Sequence, residues 1–194
     1  MKVWVVGNGQ SRRNFDLNAV TDYKIGCNAV HRDFFCDTFV AVDRRMVDEI
    51  ILNQSIPINE VYTRSMWIDN FTDRRVKHLP ELPFTGPNKA DQALHWNSGP
   101  YALVLAGLMN PTEIHMLGFD LWGIGSLVNN IYKDTANYAS QTSPKVTPDF
   151  WIYQLPKVFN HFSHINFIQH QRQDWKIPDS WSAIKNLTFA YDIV

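Results

Sequence analysis

Lys2-Val-Trp-Val-Val-Gly-Asn-Gly-Gln-Ser11 is the stretch on which the reading of this chain turns. After Lys2 the run to Val6 is β-branched or aromatic, with no polar position to face water. That is the pattern of a strand covered on both faces in a parallel sheet. Gly7 ends it, and Gly7-Asn8-Gly9-Gln10-Ser11 follows as a loop that can turn tightly and approach a ligand closely, because glycine carries no Cβ. Its amides and the Ser11 hydroxyl can then face a phosphate or a ribose. The spacing Gly-x-Gly-x-Ser lacks the third glycine of the dinucleotide fingerprint, which disfavours NAD. A strand-to-helix turn needing glycine on steric grounds alone would leave the same pattern.

Working outward, Tyr23 to Cys27 predicts a second strand and Thr38 to Val42 a third, each closed by a polar residue, Asn28 and Asp43. Met46, Val47, Ile50 and Ile51 follow the helical period, and Glu60 to Thr63 suits a short strand. Between Arg64 and Trp96 the periodicity weakens under Pro80, Pro83, Gly86 and Pro87. This stretch, 64–96, is expected to be a surface excursion or lid over the site. At Asn97-Ser98-Gly99-Pro100 the signal sharpens: Ser98 suits a cap and Pro100 a first turn, ahead of an apolar helix that Asn110-Pro111 ends. Glu113 to Leu117 predicts another strand, leading into Gly118-Phe119-Asp120-Leu121-Trp122-Gly123. A polar loop to Thr147 precedes a helix over 148–162, bent at Pro156, and a strand over 165–169. The tail after Gln171 receives no assignment. Strands alternating with helices give an α/β, Rossmann-like fold, a mostly parallel sheet with helices on both faces, and 1–194 reads as a single nucleotide-binding domain. Ligands bind such sheets at the carboxyl ends of the strands, so Asn8, Asn28, Asp43 and Asp120 are expected on one rim.

Composition narrows the function classes. Hydrophobic residues make up 45% and charged residues 19% of the 194, which suits a folded domain. The net charge of −1, with scattered positives, lacks the basic footprint of a nucleic-acid-binding protein. An aromatic share of 13%, with seven tryptophans, suits a dense core or a surface for sugars and bases. The two cysteines, Cys27 and Cys36, have no metal-ligand spacing, and Cys27 reads as a buried thiol. No basic region followed by an apolar stretch opens the chain, and the longest apolar run, Tyr101 to Met109, is about half of the ~18 residues of a membrane span. A cytoplasmic protein without a membrane span is the expectation. No Asp-x-Asp and no grouped histidines suggest a metal, and no Gly-x-Ser-x-Gly elbow suggests a serine hydrolase. The start of the helix at Ser98 and Gly99 offers free N–H groups and a dipole for an anion, although a plain cap would look the same.

Taken in order, Val-Val-Gly-Asn-Gly-Gln-Ser11, Ile-Gly-Cys-Asn28, Val-Ala-Val-Asp43, Asn-Ser-Gly99 and Glu-Ile-His-Met-Leu-Gly-Phe-Asp120 resemble the bacterial sialyltransferase family 42 and its wider relatives of the DUF115 type, with shorter phage-encoded members nearest in size. The likeness covers roughly residues 1 to 140. It implies a glycosyltransferase that takes a CMP-sugar or related nucleotide as substrate and transfers the sugar with inversion to an acceptor, without metal or other cofactor. It implies nucleotide binding by Gly7, Asn8, Gly9, Ser11, Asn28, Asp43, Ser98 and Gly99, with Asp43 standing where the family has an asparagine. It also implies catalytic roles for Asp120, which follows Gly118 in the motif, and for Tyr132, one of two tyrosines that stabilise the departing phosphate. The chain departs from the pattern twice. Trp122 occupies the place of the other tyrosine, and Thr142 to Pro148 holds no histidine where the family has its general base.

Two other readings accompany the transferase. A nucleotide-binding or sequestering module without chemistry would accommodate both departures. Pyrophosphoryl transfer to a pterin, as in other DUF115-type relatives, ordinarily uses Mg²⁺, for which the chain has no carboxylate cluster. The identity of the acceptor, and association into a homo-oligomer, are left open by the sequence.

Overall fold

The computed structural model describes residues 1–193. Its frame is one eight-stranded sheet in which every neighbouring pair is parallel. In chain order the strands are β1 (Lys2–Val6), β2 (Tyr23–Cys27), β3 (Thr38–Val40), β4 (Val61–Thr63), β5 (Val76–His78), β6 (Glu113–Leu117), β7 (Asn166–His170) and β8 (Leu187–Ala190). They lie in the order β5-β4-β3-β2-β1-β6-β7-β8. The chain therefore steps outward from β1 to one edge, returns to the far side of β1 at β6, and steps outward again. The reversal falls between β1 and β6, and loops leaving a sheet at such a point diverge and open a crevice.

The apolar run of β1 is explained by burial on both faces. Val3 and Val5 pack on one face with Ile25, Cys27, Ile114 and Met116, while Trp4 and Val6 pack on the other with Phe39 and Ala41. Helices α3 (Ser98–Leu108) and α4 (Asp149–His161) belong to the first face. Helix α1 (Arg44–Leu52) covers the second through Met46, Val47 and Ile50. The α/β, Rossmann-like fold with helices on both faces is thus observed, and the sheet is parallel throughout.

Two places differ from the sequence expectation, and at a third, Pro156, the structure supplies a partner for the expected defect. The stretch 64–96 is not wholly irregular: it holds a short helix, α2 (Ser65–Ile68), the edge strand β5 and two 3-10 turns. Asp91 ties it down, accepting from the Asn88 amide and pairing with Lys157 of α4 at 2.6 Å. The unassigned tail supplies β8 at the opposite edge. Pro156, inside α4, has no N–H for the Ile152 carbonyl one turn back. The buried Trp181 indole N–H donates to that carbonyl instead, at 3.1 Å. No helix among the described residues is long and apolar enough to cross a membrane.

Candidate functional site

Where the loops after β1 and β6 separate, their backbones first touch. The Gly7 N–H donates to Leu117 O at 2.7 Å and the Gly9 N–H to Gly118 O at 2.9 Å. A Cβ on Gly7 would lie 2.6 Å from the Gly118 carbonyl oxygen, and Gly118 itself takes φ +74°, a conformation that side-chain-bearing residues rarely adopt. A Cβ on Gly9 would fall 2.5 and 2.6 Å from the two Asp120 carboxylate oxygens. These glycines therefore answer first to the close approach of two loops. The expectation that Gly9 is small for a ligand's sake is corrected to this extent, since its missing side chain makes room for Asp120.

Asp120 is only 6% exposed. Its carboxylate accepts from the Ser11 N–H at 2.9 Å and, in a very short bond, from the Ser11 hydroxyl. The backbone that carries it is held by residues the sequence reading passed over. Gln169 and Gln171 donate side-chain N–H groups to Phe119 O at 2.9 and 3.0 Å, and the Trp175 indole donates to Asp120 O at 2.7 Å. Leu121 follows in the left-handed region at φ 59°. Polar residues at the end of β7 and just beyond it are the signal that could have found these partners, because only a buried glutamine with an acceptor is affordable in a strand closed on both faces.

Beside this junction lies a cavity of about 930 Å³, its open mouth included. Its walls come from the β1 loop (Gly7, Asn8, Gly9), the end of β2 (Cys27, Asn28), the start of α3 (Asn97 to Pro100) and the β6 loop from Gly118 to Gly123. Val128, Asn129, Asn130, Lys145 and Val146, with Trp151 and Leu155 of α4, complete the lining. Ser98 stitches the start of α3 to the end of β2, donating to Asn28 Oδ1 at 2.7 Å, and to the chain after β3, accepting from the Val42 N–H at 3.1 Å. Ser98 is thus inside the helix rather than its cap, which is Asn97. The first N–H groups of α3, at Ser98 and Gly99, have no intrahelical acceptor and carry the positive end of the helix dipole.

Two side-chain amides on the wall are half used. Asn8 donates its Nδ2 to the Tyr138 hydroxyl at 2.8 Å, while its Oδ1 is buried without a partner. Asn28, held at φ 52°, accepts from Ser98 through Oδ1, and its Nδ2 has no partner among the described residues. The wall carries one carboxylate, Asp120, and one ammonium, Lys145, whose stem packs against Gly123. Cys27 lies in the wall as a buried free thiol, and burial pushes its pKa up. Tyr138 is likewise pushed up, to about 12, chiefly by burial.

Seven of the expected nucleotide contacts and motif residues, Gly7, Asn8, Gly9, Asn28, Ser98, Gly99 and Asp120, line this one cavity. Three others do not. Ser11 is buried behind Asp120, on which its hydroxyl is spent. Asp43 is exposed at the start of α1, off the cavity wall. Tyr132, 5% exposed, lies in a separate cluster: its hydroxyl donates to Asp33 at 2.6 Å and accepts from Arg12 at 2.6 Å, and burial raises its pKa. The buried Arg12 also donates to Gly7 O at 2.7 Å, so this cluster braces the β1 loop from outside the cavity. The excursion 64–96 contributes nothing to the wall, to which 118–123, 128–130, Lys145 and Val146 contribute instead. Among the described residues no group of three metal-ligating side chains could hold a metal ion.

No protein-family model matches the chain, and no curated protein does. Solved structures of one enzyme share its fold. The sialyltransferase CST-II in complex with a trisaccharide acceptor and CMP aligns with TM-score 0.50 and 13% identity, over 87% of this chain and 80% of that one. A single-substitution mutant of the alpha-2,3/8-sialyltransferase CstII gives 0.53 and 15%, over 87% and 81%. CstII from Campylobacter jejuni in complex with a substrate analogue, cytidine-5'-monophosphate, gives 0.51 and 14%, over 87% and 78%. At these identities the likeness is one of fold.

Proposed function

We propose that the chain is a nucleotide-sugar-dependent glycosyltransferase of sialyltransferase-like fold, acting without metal, and that the cavity at the β1–β6 reversal holds the CMP part of its donor. The observation that carries the reading is the pair of half-used amides. Asn8, whose Oδ1 is buried without a partner, and Asn28, whose Nδ2 has none among the described residues, both belong to the wall of a cavity that also receives the start of a helix. A nucleoside offers hydroxyl and amine donors together with carbonyl and ring-nitrogen acceptors, and its phosphate suits the N–H groups of Ser98 and Gly99. An unpartnered buried acceptor costs about 1–3 kcal/mol, a cost that a ligand donor would relieve. Two of the solved structures of this fold are complexes with CMP, which supports the same class of occupant.

Chemistry at this site has to come from what the wall carries. Lys145 is its only cation, and with the α3 amides it would stabilise negative charge building on a departing phosphate. Asp120 is its only carboxylate and hence the group to take the acceptor's proton during transfer. Tyr132 is dropped from the catalytic set, because Asp33 and Arg12 occupy its hydroxyl. A panel of nucleotide sugars, followed by release of free nucleotide, tests the proposal: turnover or hydrolysis of a CMP-sugar is expected, and silence across the panel contradicts it.

The second reading, a nucleotide-binding module without chemistry, is favoured by one specific observation. Asp120 already accepts two hydrogen bonds from Ser11, one on each carboxylate oxygen, so both oxygens are engaged within the protein rather than turned to an acceptor hydroxyl. CMP binding without turnover of any CMP-sugar would select it.

A further inference from the structure

A second cavity, about 1280 Å³ with its mouth included, lies against the first and shares Asp120, Trp122, Gly123 and Asn129 with it as a partition. Its outer walls come from the β1 side, Gln10 to Asn14, and from the segment after β7, Gln171 to Lys176. Two tryptophans stand in it. The Trp122 indole N–H is committed to Lys176 O at 2.6 Å and the Trp175 indole N–H to Asp120 O at 2.7 Å. Both rings are therefore fixed in place with their polar atom spent, and what remains to meet a ligand is aromatic carbon.

The charged groups are unequal. The walls carry Arg13, Arg172 and Lys176 against Asp120 and Asp174. Asp120 is taken by Ser11, and Asp174 pairs with Arg172 at 3.1 Å. Arg13 and Lys176, both exposed, have no ion-pair partner among the described residues. Fixed indole surface beside hydrogen-bonding side chains and surplus cations matches a ring with apolar C–H faces, hydroxyl edges and a negative group.

We propose that this second cavity binds an anionic sugar, and that the partition sets it beside the nucleotide cavity as the place of the acceptor. Sugar binding stands on this cavity alone, whereas the acceptor role rests on the nucleotide reading above. A transferase needs its two substrates on either side of the reacting atoms, and the residues lining both cavities, Asp120 among them, are where such a meeting would occur.

Saturation-transfer NMR with glucuronate, and glucose as its neutral counterpart, tests this on the full chain, alongside calorimetry with CMP. Glucuronate is expected to receive saturation, to do so more strongly than glucose, and to keep it when CMP is added. The double variant Arg13→Glu with Lys176→Glu changes two exposed side chains. It should weaken glucuronate binding about tenfold and leave CMP affinity unchanged. No saturation in the wild-type protein, an equal signal in the double variant, or displacement of glucuronate by CMP would each overturn the proposal. Glucuronate binding that persists in a protein unable to bind CMP would uphold the sugar site and defeat the nucleotide reading, so the two fail separately.

Discussion

Asn28 has one atom of its amide on Ser98 and the other without a partner among the described residues, from a left-handed backbone position that asparagine tolerates better than most residues. Asn28→Ala should weaken CMP binding by about 1–3 kcal/mol, because the ligand loses a donor and Ser98 loses its acceptor. Ser11→Ala provides the contrast. Its hydroxyl serves Asp120 and does not reach the wall, so the variant should lose about 1.5–3 kcal/mol of stability at most. Its CMP affinity should change far less than that of the Asn28 variant, and urea unfolding beside calorimetry separates the two effects. Gly9→Val should abolish CMP binding by driving a side chain into the Asp120 carboxylate, and unchanged affinity there would move the site elsewhere. Asn28 was legible in the sequence because it sits directly after β2, whose end fixes its position. Ser11 and Tyr132 were misread because their partners, Asp120 and Arg12, lie 109 and 120 residues away, where no local pattern reaches.

The strand β1, apolar throughout after Lys2, could be read directly, since burial on both faces leaves no room for another composition. β5 and β8 could not. Val76-Lys77-His78 is three residues at an edge, half-exposed, and β8 is four residues with only Leu187 buried, so neither bears the full burial that writes a strand into sequence. Helix α4 shows a further limit. Pro156 announced a defect, but the remedy lies in the tail, in the Trp181 indole on the Ile152 carbonyl. Trp181→Phe keeps much of the aromatic packing against Phe159 and Trp175 and removes only that donor, together with some volume. It should cost about 1–3 kcal/mol in urea unfolding. A loss within error would show that α4 tolerates the gap unaided.

At the scale of the whole molecule, the reversal of strand order at β1 and β6 opens the crevice, and the same closely packed frame sets a pH limit. Burial lowers the pKa of His115, which lies 2.9 Å from His170 and stacks on Trp4, and burial likewise lowers that of His31. A histidine whose folded pKa is depressed contributes stability that is complete above its unfolded value, about 6.5, and declines as pH falls below it. Asp91 is held below the usual carboxylate range, first by Lys157, and Glu113 first by Lys2. Their contributions are present above the unfolded values, about 4, and are lost as pH falls through the lowered folded ones. Urea midpoints should therefore hold near pH 7.5, drop between about pH 6.5 and 5, and drop again below about pH 4. A flat profile from 7.5 to 5 would contradict the burial assigned to the two histidines.

A crystal structure of the chain soaked with CMP bears most directly on the nucleotide cavity. Nucleoside density between Asn8 and Asn28, with the phosphate on the Ser98 and Gly99 amides and the Lys145 ammonium turned toward it, is the predicted result. CMP lodged on any other surface, with Asn8 Oδ1 still unpartnered, would contradict the account.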